Sequence, residues 1–565
     1  MNSDWRIVGM LDDWVAHQSS TSPIHESIIM TTTSTTFCPL CETPTLREHL
    51  AQAGWISSEV EAQLRRNHPE WHRADGACPA CVQQFLLQTL LSKGEAALHE
   101  SMQAVWPLDA EAAFGALPTP LRLHADPRFT GKGVTLAMVD SAFYPHPDLV
   151  QPTNRIRAWV DVRQPSLQAR YFKPNELPCW PGWNASAAGQ WHGTMTSVAA
   201  AGNGWLSQGL YRGLANEADL VLIQTINDDG HITNDSILRA LKWLRQNRLT
   251  LDLKVVNLSL GADPIDTLKD NPIDAEIEAL VREGVAVCVA AGNNGERRLL
   301  PPATAPSALT IGGLDDKNTF NDDEVELWHS NYGESLGGAF KPELVAPSIW
   351  VVAPVLPETE LAREAQELFA RRATGDQSCE GRIAACKLVT PYYQHVDGTS
   401  FAAPLAASVV ACMLEANPKL SPFLIREALI TSAALIENVS RERQGAGALH
   451  AGRALELALR EMHRKLNGHP SSPKINGATV SFVLHDHQAT EVRVFGSWND
   501  WRDGITATRL EEGFWRAACP LPPAGNYHYK FLVDSERWLD DPANPEKMPD
   551  GFGGLNSVLV IGKNL

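Results

Sequence analysis

Short apolar runs alternate with segments of helical character between residues 134 and 290. The first run is β-branched and is introduced by Gly131 and Gly133, which is typical of a buried strand. Alternation of strands with helices predicts an α/β fold, built on a parallel, doubly wound sheet with helices on its faces. The strands are predicted at 134–139, 220–226, 255–260 and 285–290, with helices at 237–245 and 274–283.

Three residues with complementary proton chemistry lie at the ends of predicted elements. Asp140 ends the first strand, and an acid at the carboxyl end of a parallel strand projects into the crevice where such sheets place their sites. His192 and Ser400 each precede a small, apolar stretch that predicts a buried helix. A serine hydroxyl becomes a nucleophile when a base takes its proton and nearby donors hold the oxyanion that forms. Asn293 follows a predicted strand and can supply one such donor, with the backbone N–H of Ser400 as the second.

The sequence around these residues resembles the subtilisin-type (subtilase) serine peptidases. Seven motifs occur in the family's order, and the order Asp, His, Ser differs from that of two unrelated folds with the same residues. The resemblance implies that Asp140 orients His192, that His192 is general base and then acid, and that Ser400 attacks. Asn293 would then stabilise the oxyanion. The motifs are TGKGV (130–134) leading to Asp140-Ser141, HPDL (146–149), HGT (192–194), VNLSLG (256–261), AGN (291–293), KPELVAP (341–347) and GTSFAAP (398–404).

The same resemblance implies an extended edge that binds the substrate backbone as an added strand. Ala142 stands where the family usually has glycine, and Met195 where a second histidine is common, but neither change removes a reacting group. No inhibitory propeptide is evident before Gly131. The family's calcium-binding loop does not align around residues 203–208, so calcium binding stays open. The predicted substrate-binding residues are Leu258, Ser259, Leu260 and Gly261.

Two Cys-x-x-Cys pairs lie in the front part of the chain. Four thiolates in two such turns suit tetrahedral zinc, and four sulfur ligands leave no open position for catalysis, so the zinc would be structural. Redox chemistry or paired disulfides are the alternatives. His68 and His72 are alternative ligands, although their positions fit the surface of a helix. The predicted ligands are Cys38, Cys41, Cys78 and Cys81.

The end of the chain carries short alternating strands separated by glycine, proline and asparagine, which predicts an immunoglobulin-like β-sandwich. The runs FGSWNDW (495–501) and PPAGNYHYKF (522–531) resemble a family-48 carbohydrate-binding module, the glycogen-binding type of AMP-activated kinase β subunits. In that family two tryptophans stack on glucose rings, and a lysine and an asparagine bind hydroxyls. The resemblance implies a glycogen-like α-glucan partner, while docking of a protein stays the alternative. The matching residues are Trp501, Lys530, Trp538 and Asn556.

The composition argues against two kinds of partner. A formal net charge of −18 disfavours nucleic acid and anionic membranes. No run approaches the roughly 20 apolar residues that span a bilayer. The first residues lack the basic and apolar parts of a secretory signal, and the ten cysteines lack a disulfide framework, so we expect a cytoplasmic protein.

These observations divide the chain into five segments. They predict an intracellular subtilisin-type serine endopeptidase that hydrolyses peptide bonds through an Asp-His-Ser triad and is brought to glycogen or another α-glucan by its last module. The alternative is a catalytically inactive α-glucan-binding scaffold or protein-interaction module on the same fold. The segments are a flexible tail (1–30), a zinc-knuckle module (31–115), the peptidase domain (116–465), a linker (466–478) and the carbohydrate-binding module (479–565).

Overall fold

The structure is a computed structural model of the 565-residue chain. Its contacts divide it into two compact units: the first holds the described residues up to 334 and from 340 to 458, and the second holds those of 335–339 and from 459 onward. The predicted tail at 1–30 lies outside the described residues. The structure describes residues 35–42, 44–46, 58–78, 81, 85, 116–179, 190–227, 230–265, 271–318, 325–335, 338–465, 472–476, 479–486, 489–510, 513–544, 546–550 and 555–561.

The strands and helices of the described residues are as follows. The strands of the first unit are β1 (Thr35–Phe37), β2 (Pro44–Leu46), β3 (Thr135–Asp140), β4 (Ile156–Asp161), β5 (Gln168–Tyr171), β6 (Asp219–Gln224), β7 (Leu253–Leu258), β8 (Ala286–Ala290), β9 (Leu309–Asp315), β10 (Glu326–Leu327), β11 (Gly333–Glu334), β12 (Phe340–Lys341), β13 (Leu344–Pro347), β14 (Val351–Pro354), β15 (Leu388–Thr390) and β16 (Tyr393–Val396). The helices are α1 (Ser58–Asn67), α2 (Thr119–Arg122), α3 (Pro147–Val150), α4 (Gln190–Ala201), α5 (Asn234–Asn247), α6 (Pro272–Arg282), α7 (Glu360–Ala373), α8 (Glu380–Ala385), α9 (Thr399–Ala416), α10 (Pro422–Ser432), α11 (Arg441–Gln444) and α12 (Ala451–Lys465).

A nine-stranded sheet is the centre of the first unit, and it confirms the predicted doubly wound fold. Its order is β10-β9-β8-β7-β3-β6-β4-β5, with β13 beside β9. Neighbouring strands are parallel along the run β9-β8-β7-β3-β6-β4, and β13 is parallel to β9. The two edge strands β5 and β10 are antiparallel to their neighbours β4 and β9. After β3 the chain forms β4, β5 and β6 on one side of β3, and it then crosses to form β7 on the other side. Such a switch in direction opens a crevice at the carboxyl end of the strands, where Asp140 lies.

Both faces of the central strands of this sheet are buried. The residues of β3 and β8 are buried without exception, because helices cover the sheet. Helices α5 and α6 begin at Thr233 and Asn271, whose side chains accept hydrogen bonds from first-turn N–H groups, and their apolar faces pack on the central strands. The sequence pattern therefore predicted these elements to within a few residues.

Helix α9 carries Ser400 and crosses the interior of the first unit. Within the described part of the chain, it alone is long and apolar enough to cross a bilayer, and most of it is buried in the fold. Its residues Thr399 and 401–414 are buried, so its apolar character is that of a core helix.

The second unit consists of two antiparallel sheets, which confirms the predicted β-rich module. One sheet has the order β17-β18-β22-β21, and the other has β20-β19-β23-β26-β25 with β24 beside β23. Strand β17 lies within the segment predicted as linker, because pairing with β18 orders it. The strands are β17 (Lys474–Asn476), β18 (Thr479–His485), β19 (Val492–Gly496), β20 (Ile505–Thr506), β21 (Thr508–Arg509), β22 (Phe514–Pro520), β23 (Gly525–Val533), β24 (Arg537–Leu539), β25 (Lys547–Pro549) and β26 (Leu555–Ile561).

Candidate functional site

Asp140 and His192 are joined at the carboxyl end of β3. Asp140 is the last residue of β3, and His192 is the third residue of α4. Oδ1 of Asp140 lies 2.6 Å from Nδ1 of His192. A carboxylate only accepts hydrogen bonds, so Nδ1 carries the ring proton. In the neutral ring Nε2 is then the nitrogen that can take a proton.

Two further donors hold the Asp140 carboxylate in place. The Thr196 hydroxyl donates to Oδ2 at 2.8 Å, and the N–H of Ser141 donates to Oδ1 at 2.6 Å. Asp140 is only 1% exposed, so these bonds replace the water that it loses on folding. Thr196 was missed by the sequence reasoning. Its position four residues after His192, on the same face of a helix, was the available signal.

Ser400 lies in the first turn of α9, after Gly398, whose φ of 132° favours glycine. Pro404 lacks the N–H that would normally bond the Ser400 carbonyl one turn earlier. The Ser259 hydroxyl donates to that carbonyl instead, at 2.7 Å. The buried side-chain amide of Asn257 donates in turn to the Ser259 oxygen at 2.9 Å. A polar chain from β7 thus fixes the backbone of Ser400.

The first turn of α9, which carries Ser400, lies close to the imidazole of His192. The ring centroid of Phe401, the next residue, lies 5.9 Å from that of the imidazole. Among the described residues, neither the Ser400 hydroxyl nor Nε2 of His192 has a hydrogen-bond partner. Such bonds are often long without substrate and tighten in the complex. The final contact between hydroxyl and imidazole therefore stays a prediction.

Asn293 presents its amide beside Ser400. Its Oδ1 accepts from the N–H of Thr399 at 3.0 Å and from the Thr399 hydroxyl at 2.7 Å, which assigns Nδ2 as the end free to donate elsewhere. A Cβ on Gly398 would lie 3.5 Å from Nδ2 of Asn293 and 3.8 Å from the backbone nitrogen of Ser400. Both donors therefore border one small space that glycine keeps open. Thr399 was not singled out from the sequence, although it adjoins Ser400 in the Gly-Thr-Ser motif.

The predicted substrate-binding edge follows β7. Leu258 is fully buried and Leu260 is 8% exposed, so both side chains belong to the core. The Ser259 hydroxyl donates its hydrogen bond to the Ser400 carbonyl. Gly261 is exposed, with open space where a Cβ would stand. Any peptide bound along this edge would therefore contact main-chain atoms.

Protein hydrogen bonds hold the segment at 203–208, for which the sequence leaves calcium binding open. Its Leu206 N–H donates to the Asp148 carboxylate at 3.2 Å, and the hydroxyl of Tyr393 donates to the other oxygen at 2.7 Å. The side-chain oxygen of Asn203 accepts from the N–H of Trp205 at 3.0 Å. Calcium prefers carboxylate and amide oxygens as ligands. The side-chain oxygens of Asp148 and Asn203 already accept hydrogen bonds from protein groups, so the contacts of this loop do not favour a calcium site.

The four knuckle cysteines meet at one point. Their Sγ atoms all lie within 4.8 Å of one another, so the cluster can bind a metal. The Sγ atoms of Cys38 and Cys81 are 3.9 Å apart, and those of Cys41 and Cys78 are 3.8 Å apart. Backbone N–H groups of Cys78 and Cys81 point at sulfurs within the cluster. His68 and His72, the alternative ligands, do not belong to it.

The residues predicted to bind a sugar lie on the outer face of the six-stranded sheet. Successive residues of a strand point to opposite faces of the sheet, so Lys530 and Leu532 lie on the face opposite the buried Tyr529. Their cross-strand partners, Phe495 and Trp538, lie on the same face. The ring centroids of Trp501 and Trp538 are 6.4 Å apart, and the ring planes are inclined at 69°. Trp538 also contacts the ring of Phe495 and is 49% exposed.

Lys530 and Asn556 complete this face. The Lys530 ammonium lies 2.5 Å from a carboxylate oxygen of Asp550. Tyr529 pairs with Ser557, so the next step of the register brings Asn556 beside Lys530. The four predicted residues therefore lie on the same side of the sheet, with Trp538 exposed and Asn556 largely buried at 9% exposure.

Known proteins resemble both parts of the chain. A family model described as the subtilase family matches residues 131–447, and one described as the glycogen recognition site of AMP-activated protein kinase matches residues 480–564. The serine protease AprX of Bacillus subtilis (strain 168) is 29% identical over 330 residues, which cover 57% of this chain and 66% of AprX, just under two thirds. Subtilisin BL of Lederbergia lenta is 26% identical over 307 residues, covering 54% of this chain and 84% of that protein. Among solved structures, the prenylagaramide maturation protease PagA aligns with a TM-score of 0.40 and 18% identity, covering 57% of this chain and 93% of PagA.

Proposed function

Since this chain belongs to the subtilase family of serine peptidases, matched over residues 131–447, we propose that it is an active endopeptidase with Asp140, His192 and Ser400 as its triad. The observation that supports this most directly is the 2.6 Å contact of the buried Asp140 carboxylate with Nδ1 of His192. It holds the imidazole in the tautomer that a general base requires.

In the proposed reaction the Ser400 oxygen bonds to the carbonyl carbon of the substrate while its proton passes to Nε2 of His192. Nδ2 of Asn293 and the N–H of Ser400 donate to the resulting oxyanion. The C–N bond then breaks as Nε2 returns the proton to the leaving amine. Water hydrolyses the acyl-enzyme by the same proton route.

A fluorophosphonate probe tests this proposal, because it reacts with an activated serine. We expect labelling of the native chain, and none of Ser400→Ala or of heat-denatured protein. Asn293→Ala should lower kcat by about 10²–10³-fold, the size of the loss known for the matching asparagine of subtilisin. A folded native chain that neither takes the probe nor cleaves peptides would instead support the inactive scaffold.

We also propose that the cysteine cluster binds structural zinc. Zinc–sulfur bonds of about 2.3 Å place tetrahedral ligands about 3.8 Å apart. The sulfur–sulfur distances of 3.9 Å and 3.8 Å given above agree with this spacing. Cys38, Cys41, Cys78 and Cys81 would hold the ion, and its contribution would be to stabilise the front module.

Metal analysis of the purified full chain tests the zinc proposal. We expect about one zinc per chain, its loss in Cys41→Ser, and its retention in Cys179→Ser, since Cys179 is an exposed thiol outside the cluster. Recovery of the unmodified chain with disulfides in place of metal would contradict the proposal.

For the second unit we propose binding of an α-glucan such as glycogen. Two tryptophan rings 69° apart cannot both lie flat on a straight, planar chain, but they suit the turned surface of a helical glucan. Ring faces stack on the C–H faces of glucose, and the lysine and asparagine can bond its hydroxyls.

Co-sedimentation with glycogen tests the second unit. Trp538→Ala should lower the bound fraction several-fold, because each stacked ring contributes about 1 kcal/mol or more. Leu510→Ala is the matched control, since Leu510 is exposed at the end of the other sheet. If Trp538→Ala, Leu510→Ala and the native chain all co-sediment with glycogen to the same extent, the aromatic face does not bind the glucan, which would favour protein docking as its role.

We further propose that the chain works in the cytoplasm. Four clustered thiols, one of them exposed, suit a compartment that keeps cysteines reduced. Fractionation of the source cells with an antibody to the chain tests this location, and recovery from the culture medium would contradict it.

A further inference from the structure

The segment Trp328 to Tyr332 lies alongside the loop that presents Asn293. The N–H of Asn331 donates to the Gly292 carbonyl at 3.0 Å, and the N–H of Tyr332 donates to the Glu296 carbonyl at 3.1 Å. The side-chain oxygen of Asn331 accepts from the N–H groups of residues 294 and 296, at 2.9 and 3.2 Å. One short segment thus holds the loop on both sides of Asn293.

His329 is the residue of that segment which contacts Asn293 itself. Nδ1 of His329 lies 2.8 Å from the Asn293 carbonyl oxygen. A carbonyl accepts but cannot donate, so Nδ1 carries the proton in this contact. The loop carbonyls of residues 292 and 296 are held by backbone donors, whereas the Asn293 carbonyl is held by this side chain.

The imidazole of His329 is held in place although it is exposed. Its ring stacks on that of Trp328, with centroids 3.8 Å apart and planes 29° apart. The Cβ of His329 also lies against Gly295, where a Cβ would be 3.7 Å away. Stacking removes rotamer freedom from the ring, so its N–H is oriented before any substrate arrives.

We propose that His329 is a positioning residue for the amide of Asn293. Thr399 holds the side-chain oxygen of Asn293, and His329 holds its main-chain oxygen, so the residue is fixed at both ends. A donor in an oxyanion site stabilises the transition state only when it already points at the developing charge. His329 acts through Asn293 and need not touch the substrate. This inference rests on the proposed peptidase function.

Two substitutions separate the hydrogen bond from the stacked ring. His329→Phe keeps an aromatic ring for Trp328 but removes the N–H. His329→Asn loses the ring but places an amide N–H the same number of bonds from Cβ. We expect kcat to fall about fivefold or more in His329→Phe, with KM within about twofold, because one hydrogen bond contributes about 1 kcal/mol. His329→Asn should recover most of that loss.

A transition-state analogue gives a second readout. The inhibition constant of a peptide boronate, which forms a tetrahedral adduct with serine, should rise in His329→Phe by the same factor as kcat/KM falls. A role limited to stability would lower the amount of folded enzyme without changing that constant. An effect confined to KM would overturn the proposal.

A double-mutant cycle with Asn293→Ala shows whether His329 acts through Asn293. We expect His329→Phe to lower kcat in the native background and to have little further effect when Asn293 is already alanine. A general folding defect would lower the rate in both backgrounds. Equal losses in both, or none in either, would overturn the role of His329 while leaving the peptidase assignment intact. Inactivity of the native chain would instead overturn the peptidase assignment itself.

Discussion

The carbonyl of Ser400 shows how one proline determines the surroundings of the proposed nucleophile. Pro404 cannot donate to this oxygen, and a buried carbonyl without a partner destabilises the fold. Ser259 supplies the donor, and Asn257 orients Ser259. The serine of the predicted substrate edge therefore also anchors the first turn of the helix that carries Ser400.

We predict that Ser259→Ala lowers the free energy of unfolding by about 1–3 kcal/mol, because the Ser400 carbonyl is left without a donor. Kcat should fall as well, since the first turn of α9 is then less well oriented. Urea denaturation and peptide hydrolysis measure the two effects.

Pro404→Ala supplies the matched background for that prediction. Alanine at this position restores the N–H that bonds the carbonyl one helical turn earlier. In that background, Ser259→Ala should cost much less stability than in the native chain. Identical losses in both backgrounds would show that Ser259 acts by some route other than the Ser400 carbonyl.

The start of helix α6 contains a buried acid. Asp274 is fully buried, and its Oδ2 accepts a hydrogen bond from the Thr304 hydroxyl at 2.7 Å. Its other oxygen has no partner among the described residues. Burial raises the pKa of Asp274 from 3.8 to about 7, against the opposing effect of the Thr304 bond. The folded chain therefore holds this proton more tightly than the unfolded chain does.

The raised pKa predicts that Asp274 makes the fold less stable as pH rises. Below about pH 4 the acid is neutral in both states. Between about pH 4 and 7 the unfolded state ionises first, so its free energy falls relative to that of the folded state, by at most about 4 kcal/mol in total. Above pH 7 both states are ionised and the dependence ends.

Asp274→Asn, which resembles the neutral acid, should remove this dependence. We expect the variant to exceed the native chain in free energy of unfolding at pH 8 and to match it near pH 4, as measured by urea denaturation. A variant that is less stable than the native chain at pH 8, with a smaller loss near pH 4, would show instead that Asp274 is ionised in the fold and favours the helix N-terminus by its charge.

At the level of helices and strands, the sequence predicted much of the first unit. The apolar run at 134–139 lies within one residue of β3, because a fully buried strand needs apolar residues on both faces. Asp140 could be placed for the same reason. The contacts of Ser259 with Ser400 and of His329 with Asn293 could not, since they join residues 141 and 36 positions apart through loops without a periodic pattern. Strand β17 was also missed, because it depends on a partner strand and not on its own composition.

In the whole chain, the proposed triad and the residues proposed to bind glucan lie in different units. Asp140, His192 and Ser400 belong to the first unit, and Trp501 and Trp538 belong to the second. The chain passes from the first unit to the second between residues 458 and 459, and the predicted linker at 466–478 belongs to the second, with part of it outside the described residues. Two modules carried on one chain can reach an effective concentration in the millimolar range without any new contact with the substrate. On the proposed functions of the two units, we expect the second to influence cleavage by bringing substrate and peptidase to the same particle.

The last prediction concerns the rate at which the full chain cleaves a protein attached to glycogen. We expect cleavage of the attached substrate to be about tenfold faster or more than that of the same protein free in solution at equal low concentration, because both partners are then held on one surface. Excess soluble linear malto-oligosaccharide should remove the difference by occupying Trp501 and Trp538. Trp538→Ala should remove it without added sugar. If the difference survives both treatments, recruitment occurs through a surface other than this aromatic face; if there is no difference at all, the second unit does not guide the peptidase to glucan-bound substrates.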